Sequence, residues 1–151
     1  MANVQKSITV EAPVHSVYNQ WTQFESFPQF MDGVKEVRQE GDTRLHWKAQ
    51  IAGKTEEWDA EITEQIPDRK IAWQSTSGAP NAGVVMFKPV SDSATEVVLQ
   101  LEAQPQTMTE KVGDAVGALD RQVKTDLEKF KRYIEDRGGQ ETGAWRGEVR
   151  R

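Results

Sequence analysis

Hydrophobic and polar positions alternate, pause, and then change period along this chain. Val4, Ile8 and Val10 sit among polar residues from Asn3 to Glu11, the pattern of a half-buried strand. Pro13 suits a first helical turn, where its missing N–H costs nothing, and Val14, Val17, Tyr18 and Trp21 follow at helical spacing. Thr22 to Glu25, "TQFE", reads as a capping box that starts a second short helix, which Pro28 ends or kinks.

The period then becomes two. "GVKEVRQ" (33–39) runs to a turn at Gly41-Asp42. In "RLHWKAQI" (44–51), Leu45, Trp47, Ala49 and Ile51 share one face, and Arg44, His46, Lys48 and Gln50 the other. Ala52-Gly53 makes a tight turn, and in "TEEWDAEITEQI" (55–66) Trp58, Ala60, Ile62 and Ile66 oppose Glu57, Asp59, Glu61 and Thr63. Pro67-Asp68 turns the chain into "KIAWQS" (70–75), with Ile71 and Trp73. "SGAPNAG" (77–83) reads as a loop, "VVMFKP" (84–89) carries Val85 and Phe87, and "ATEVVLQLEA" (94–103) carries Val97, Leu99 and Leu101. Short strands, short turns and one polar face predict an antiparallel meander.

A second capping box, "TMTE" (107–110), opens the last change of period. Val112, Val116, Leu119, Val123, Leu127, Phe130 and Ile134 then recur at spacings of three and four, up to Gly138-Gly139. Roughly 29 residues at ~1.5 Å each make a helix about 43 Å long, enough to cross a whole sheet. "QETGAWRGEVRR" (140–151) has no period and reads as a disordered tail. The expected organisation is one domain over residues 1–137 and a disordered tail over 138–151. The fold class is α+β: a curved antiparallel sheet of about six to seven strands wrapped around a long C-terminal helix, with two short helices after the first strand.

Composition narrows the chemistry. The net charge of −5 argues against nucleic acid, which calls for a basic face. No apolar run approaches the ~18 residues of a membrane span, the N-terminus lacks a signal peptide's apolar core, and there is no cysteine. A cytoplasmic protein without stable membrane insertion is expected. Two histidines, His15 and His46, fall on polar faces without a nucleophile partner and make a poor zinc set without cysteine. No metal or cofactor is expected. Arg44, His46 and Lys48 would lie opposite Glu57, Asp59 and Glu61 if the Ala52-Gly53 turn pairs their strands; exposed carboxylates of this kind read as cross-strand ion pairs rather than acid/base chemistry.

The candidate site is apolar. Trp47, Trp58 and Trp73 share parity on three successive strands, as plain core or as an aromatic wall for a flat ligand. Gly113, Ala115, Gly117 and Ala118 at the start of the long helix leave room for close packing on the sheet or for a ligand. Phe27, Phe30 and Met31, crowded around Pro28, read as a cap on the core or as the rim of a cavity; no basic cluster nearby supports a membrane contact. Ser75, Thr95 and Asp32 are the polar candidates at inward positions.

The stretches "ITVEAPVHSVYNQWTQFESFPQFMDGVKEV", "HWKAQIAGKTEEWDAEITEQIPDRKIAWQS", "GVVMFKP" and "DLEKFKRYIE" resemble the START-like helix-grip superfamily, often labelled SRPBCC. More narrowly they are similar to the polyketide cyclase/dehydrase and coenzyme Q-binding START-type group. The resemblance implies a cavity between sheet and long helix that takes a lipid, quinone or aromatic polyketide-like molecule. Phe27, Phe30, Met31, Trp47, Trp58, Trp73, Phe87, Leu99, Val116 and Leu119 are its expected lining. The reading is binding of a hydrophobic small molecule by a monomer or homodimer, more a non-enzyme than an enzyme. A cyclase/dehydrase is the alternative, and a stress or interaction protein with a vestigial pocket is the third class.

Overall fold

A computed structural model describes residues 2–31, 33–51, 54–78, 80–103 and 112–150. Strand β1 (Ala2–Val10) leads into helix α1 (Val14–Trp21) and a 3-10 helix (Phe24–Gln29). Strands β2 (Val34–Gln39), β3 (Arg44–Ile51), β4 (Lys54–Ile66), β5 (Lys70–Gly78), β6 (Asn81–Ser91) and β7 (Ala94–Ala103) follow. The long helix α2 (Val112–Asp136) and a two-residue strand β8 (Val149–Arg150) complete the order. The sheet is antiparallel in the order β1-β7-β6-β5-β4-β3-β2, with β8 on β4. The curved sheet and C-terminal helix are the α+β arrangement that the periodicities predict and the helix-grip fold that the resemblance implies.

The apolar stripe of α2 is what the sheet closes around. Leu119, Val123, Leu127, Phe130 and Ile134 are all buried. The helix is about 38 Å long at ~1.5 Å per residue. Its C-terminal end is tied to β1: Lys131 Nζ donates to the Thr9 carbonyl at 2.7 Å and to Glu135 at 2.6 Å, and the Glu11 N–H donates to Glu135 at 2.7 Å. Burial works against the Glu135 carboxylate, yet these donors hold its pKa below the ordinary value. Gly138 (φ 68°) and Gly139 (φ 80°) then take the left-handed backbone that stops a helix, with the Gly139 N–H on the Ile134 carbonyl.

Four sequence expectations change. Thr22 does not cap the second helix: it closes α1, its hydroxyl donating to the Asn19 carbonyl at 2.6 Å, and Gln23 holds the N-cap position of the 3-10 helix with no side-chain cap bond. The register of β4 against β5 slips between Ile62 and Glu64, so parity reverses and Gln65, not Ile66, is buried. The stretch 77–83 is not a loop, because β5 runs to Gly78 and β6 starts at Asn81. The chain after Gly138, expected to be a disordered tail, lies along α1 and pairs β8 with Glu64 and Gln65, the part of β4 beyond its pairing with β3. The second capping box, the Ala52-Gly53 turn and Asp32 lie outside the described residues.

Candidate functional site

The inner face of the sheet does not pack flush on α2. A cavity of about 140 Å³ remains between them, and it is closed at one end by α1 and the 3-10 helix. The β3–β4 register puts Trp47 opposite Trp58, and Trp73 on β5 pairs with Ile62. All three tryptophans stand on the cavity wall. The Trp47 and Trp58 rings are parallel within 5° at 6.1 Å between centroids. Trp58 is 8% exposed, and its indole N–H has no hydrogen-bond partner among the described residues. Trp73 Nε1 donates to Asn81 Oδ1 at 3.3 Å. Gly83, its neighbour on β6, lets the ring lie flat, since a Cβ there would come within 2.4 Å of Cζ2.

Trp21, Phe24, Phe27 and Met31 form the end wall, which shows where the crowded stretch around Pro28 belongs. Phe27 and Met31 are 3% and 5% exposed, so they face inward, and Phe27 meets Trp21 edge-on at 5.5 Å and Trp47 at 5.8 Å. Leu99 and Leu119 also line the cavity. Phe30 and Phe87 do not. Phe30 stacks on Tyr133 at 4.3 Å and leans on Phe130, outside the cavity. Phe87 fills the space between Tyr18 and Trp21. The Val116 side chain lies outside the described residues, as do those of Ala115 and Ala118. Among the described residues, a Cβ on Gly117 would meet only the Arg121 guanidinium, at 3.4 Å.

Sequence reasoning missed three polar residues of this wall: Asn81, Gln122 and Asp126. Asn81 fell in a stretch read as loop. Gln122 and Asp126 share the α2 face of Leu119, Val123 and Leu127, a signal the spacing did carry. Gln122 Nε2 donates to the Gln50 carbonyl, a tie from α2 to β3 that Gly33 permits, because a Cβ there would sit 2.7 Å from that amide nitrogen. Of the polar candidates read from sequence, Thr95 and Ser75 lie elsewhere. Thr95 Oγ1 donates to the Ala12 carbonyl at 2.9 Å, and Ser75 Oγ accepts the Asn81 N–H at 3.0 Å.

The outer face of the same hairpin carries the expected charge pairs. Arg44, His46 and Lys48 stand opposite Glu61, Asp59 and Glu57. His46 Nδ1 meets Asp59 at 2.7 Å and Nε2 meets Glu57 at 3.2 Å, while Ser77 donates to the other Asp59 oxygen at 2.7 Å. Hydrogen bonds to Asp59 and then Glu57 raise the His46 pKa, and the bonds from His46 and Ser77 lower that of Asp59.

Comparison with known proteins agrees with this geometry. The profile of the family described as polyketide cyclase / dehydrase and lipid transport matches residues 10–132. An uncharacterized 17.2 kDa protein from the melC2-rnhH intergenic region of Streptomyces lincolnensis is 55% identical over 150 residues, covering 99% of each chain. A Deinococcus radiodurans protein of solved structure is 28% identical, with a TM-score of 0.71, over 91% of this chain and 99% of that one. The Zhui aromatase/cyclase of a Streptomyces species (17% identity, TM-score 0.72) is covered over 94% of its length and 90% of this chain. A START superfamily protein of Mycobacterium smegmatis (16%, 0.72) is covered over 99%, against 89% here. The last two likenesses are of fold.

Proposed function

The chain belongs to the polyketide cyclase / dehydrase and lipid transport family, and from that premise we propose that it binds the flat, apolar part of a small hydrophobic molecule between its sheet and α2. The observation that carries this reading is the cavity walled by Trp47, Trp58 and Trp73. An apolar cavity of about 150 Å³ holds a ring the size of benzene. Pockets that enclose drug-sized ligands run from ~300 to 1,000 Å³. The cavity of about 140 Å³ therefore encloses one ring of a ligand as it stands, and the second ring of a molecule such as 1-naphthol once a wall moves.

Three tryptophans on the wall make their own emission the reporter. Titration with 1-naphthol, and with a two-ring quinone, should quench and shift the fluorescence saturably and raise Tm. Emission and Tm that stay unchanged at the solubility limit of both probes would remove the reading. A cyclase/dehydrase is the second reading, favoured by Asp126, a carboxylic acid among the lining residues together with Gln122 and Asn81. Such an enzyme moves protons with side chains that touch its substrate. If Asp126→Asn abolishes turnover of a poly-β-ketone analogue yet keeps naphthol binding, the enzyme reading gains; equal activity in both proteins goes against it.

A further inference from the structure

Helix α1 has two faces, and only one belongs to the core. Val17, Tyr18 and Trp21 point inward, but Ser16, Asn19, Gln20 and Thr22 are also buried. What covers that polar face is the chain after Gly138. The two left-handed glycines turn it back across α1. Asn19 Nδ2 donates to Glu141 at 3.0 Å; Gln20 and Thr142 exchange two hydrogen bonds, of 3.1 and 2.8 Å; the Trp145 N–H donates to the Thr22 hydroxyl at 3.0 Å. Arg146 bonds Asn19 Oδ1, pairs with Asp68 at 2.8 Å and lies over the Tyr18 ring. Gly143 allows the close approach, since a Cβ there would reach Gln23 at 2.7 Å.

These contacts are polar almost throughout. Trp145, the largest apolar side chain of the segment, folds over its own Gly147, and Val149 packs on the core only in part. Water can replace each polar bond when the segment leaves, so its release exposes little apolar surface and the α1 side chains are hydrated at once. The sheet walls, by contrast, are held by interstrand hydrogen bonds. The segment also lies beyond residue 132, where the family profile ends.

We propose that residues 139–150 form a releasable strap that holds α1 and the 3-10 helix shut over the cavity and so governs ligand entry. Trp21 is the link: it leaves α1 to line the cavity and packs on Phe27 of the 3-10 helix. The entry role rests on the binding reading above, whereas the hold on α1 is a property of the protein alone.

Two proteins test it: the chain ended after Gly138, and the full-length double variant Glu141→Ala/Arg146→Ala, which stays informative if truncation prevents folding. Amide exchange is read by mass spectrometry over residues 14–31 and over β5 and β6, away from the β4 residues that pair with β8. A strap predicts exchange about tenfold faster in 14–31, as for a locally opening unit, with the sheet unchanged. It also predicts faster association of 1-naphthol by stopped-flow fluorescence. Unchanged exchange in 14–31 overturns the proposal, as does equal acceleration in the sheet, which marks a plain stabilising staple. Faster exchange in 14–31 with unchanged naphthol association overturns the entry role. If naphthol binds none of the proteins while exchange in 14–31 rises, the hold stands and the binding reading fails.

Discussion

The two faces of the β3–β4 hairpin begin one residue apart and do different things. On the concave side Trp47 and Trp58 face each other across the ladder, and on the convex side His46 faces Asp59. The same register sets both pairs, and the medium decides their worth. The indoles lose water and gain the hydrophobic effect, at ~25 cal/mol per Å² of apolar area. The ion pairs remain largely in water, where attraction is screened and side-chain entropy opposes it. A hairpin of this kind is anchored from inside and only tuned from outside.

Breaking the inner face should have the largest effect. Trp58→Ala removes a side chain that is 8% exposed and is expected to cost about 3–5 kcal/mol in chemical denaturation. Phe30→Ala, at 7% exposure and stacked on Tyr133, should cost about as much, as a cap residue does. A loss under ~1.5 kcal/mol there would mean that Phe30 is a mobile rim instead. Gly83→Ala should come next, at about 1–3 kcal/mol, because its Cβ meets the Trp73 ring and the neighbourhood must shift. It should also alter naphthol binding, since that ring forms part of the wall.

The outer face is broken by pH. The raised pKa of His46 means that its pairing stabilises fully below the ordinary 6.5 and is lost as pH rises through the folded value. The lowered pKa of Asp59 means that its share is present above the ordinary 3.8 and is lost as pH falls. Tm of the wild type should therefore decline slightly from mildly acidic to mildly alkaline pH, and His46→Ala should flatten that slope. A variant with the wild-type slope would show that the pair contributes nothing. The smallest effect sharpens the comparison most. Trp58→Phe deletes an indole N–H that has no partner among the described residues and keeps a ring against Trp47, so stability should change little. If a ligand oxygen accepts that N–H, the variant should bind an oxygenated ring about 5–30-fold more weakly, while affinity for naphthalene stays the same. Equal losses for both ligands would assign Trp58 to shape alone.

Periodicity by itself determined the parts of this protein that repeat. The stripe from Leu119 to Ile134, the alternation on β3 and the first half of β4, and the pairing of His46 with Asp59 follow from spacings of four, three and two, because water sorts side chains by face wherever backbone geometry is regular. The shared face of Trp47, Trp58 and Trp73 was legible for the same reason. Tertiary structure alone decided what breaks the period or joins distant positions. The slip after Ile62 buries Gln65, and sequence carries no mark of a bulge whose reason is the curvature of the whole sheet. Asn81 reached the cavity wall because β6 begins at Asn81, inside the stretch read as a loop. Thr22, read as an N-cap, gives its hydroxyl to the Asn19 carbonyl and accepts the Trp145 N–H, since both partners lie within reach only after folding. The strap is the extreme case: its bonds are polar, aperiodic and made to residues far off in the chain, 122 positions for Thr142 and Gln20 and 78 for Arg146 and Asp68. A hydrogen bond needs one donor and one acceptor in place, which leaves no repeating trace in a sequence, whereas burying a face needs many residues in step.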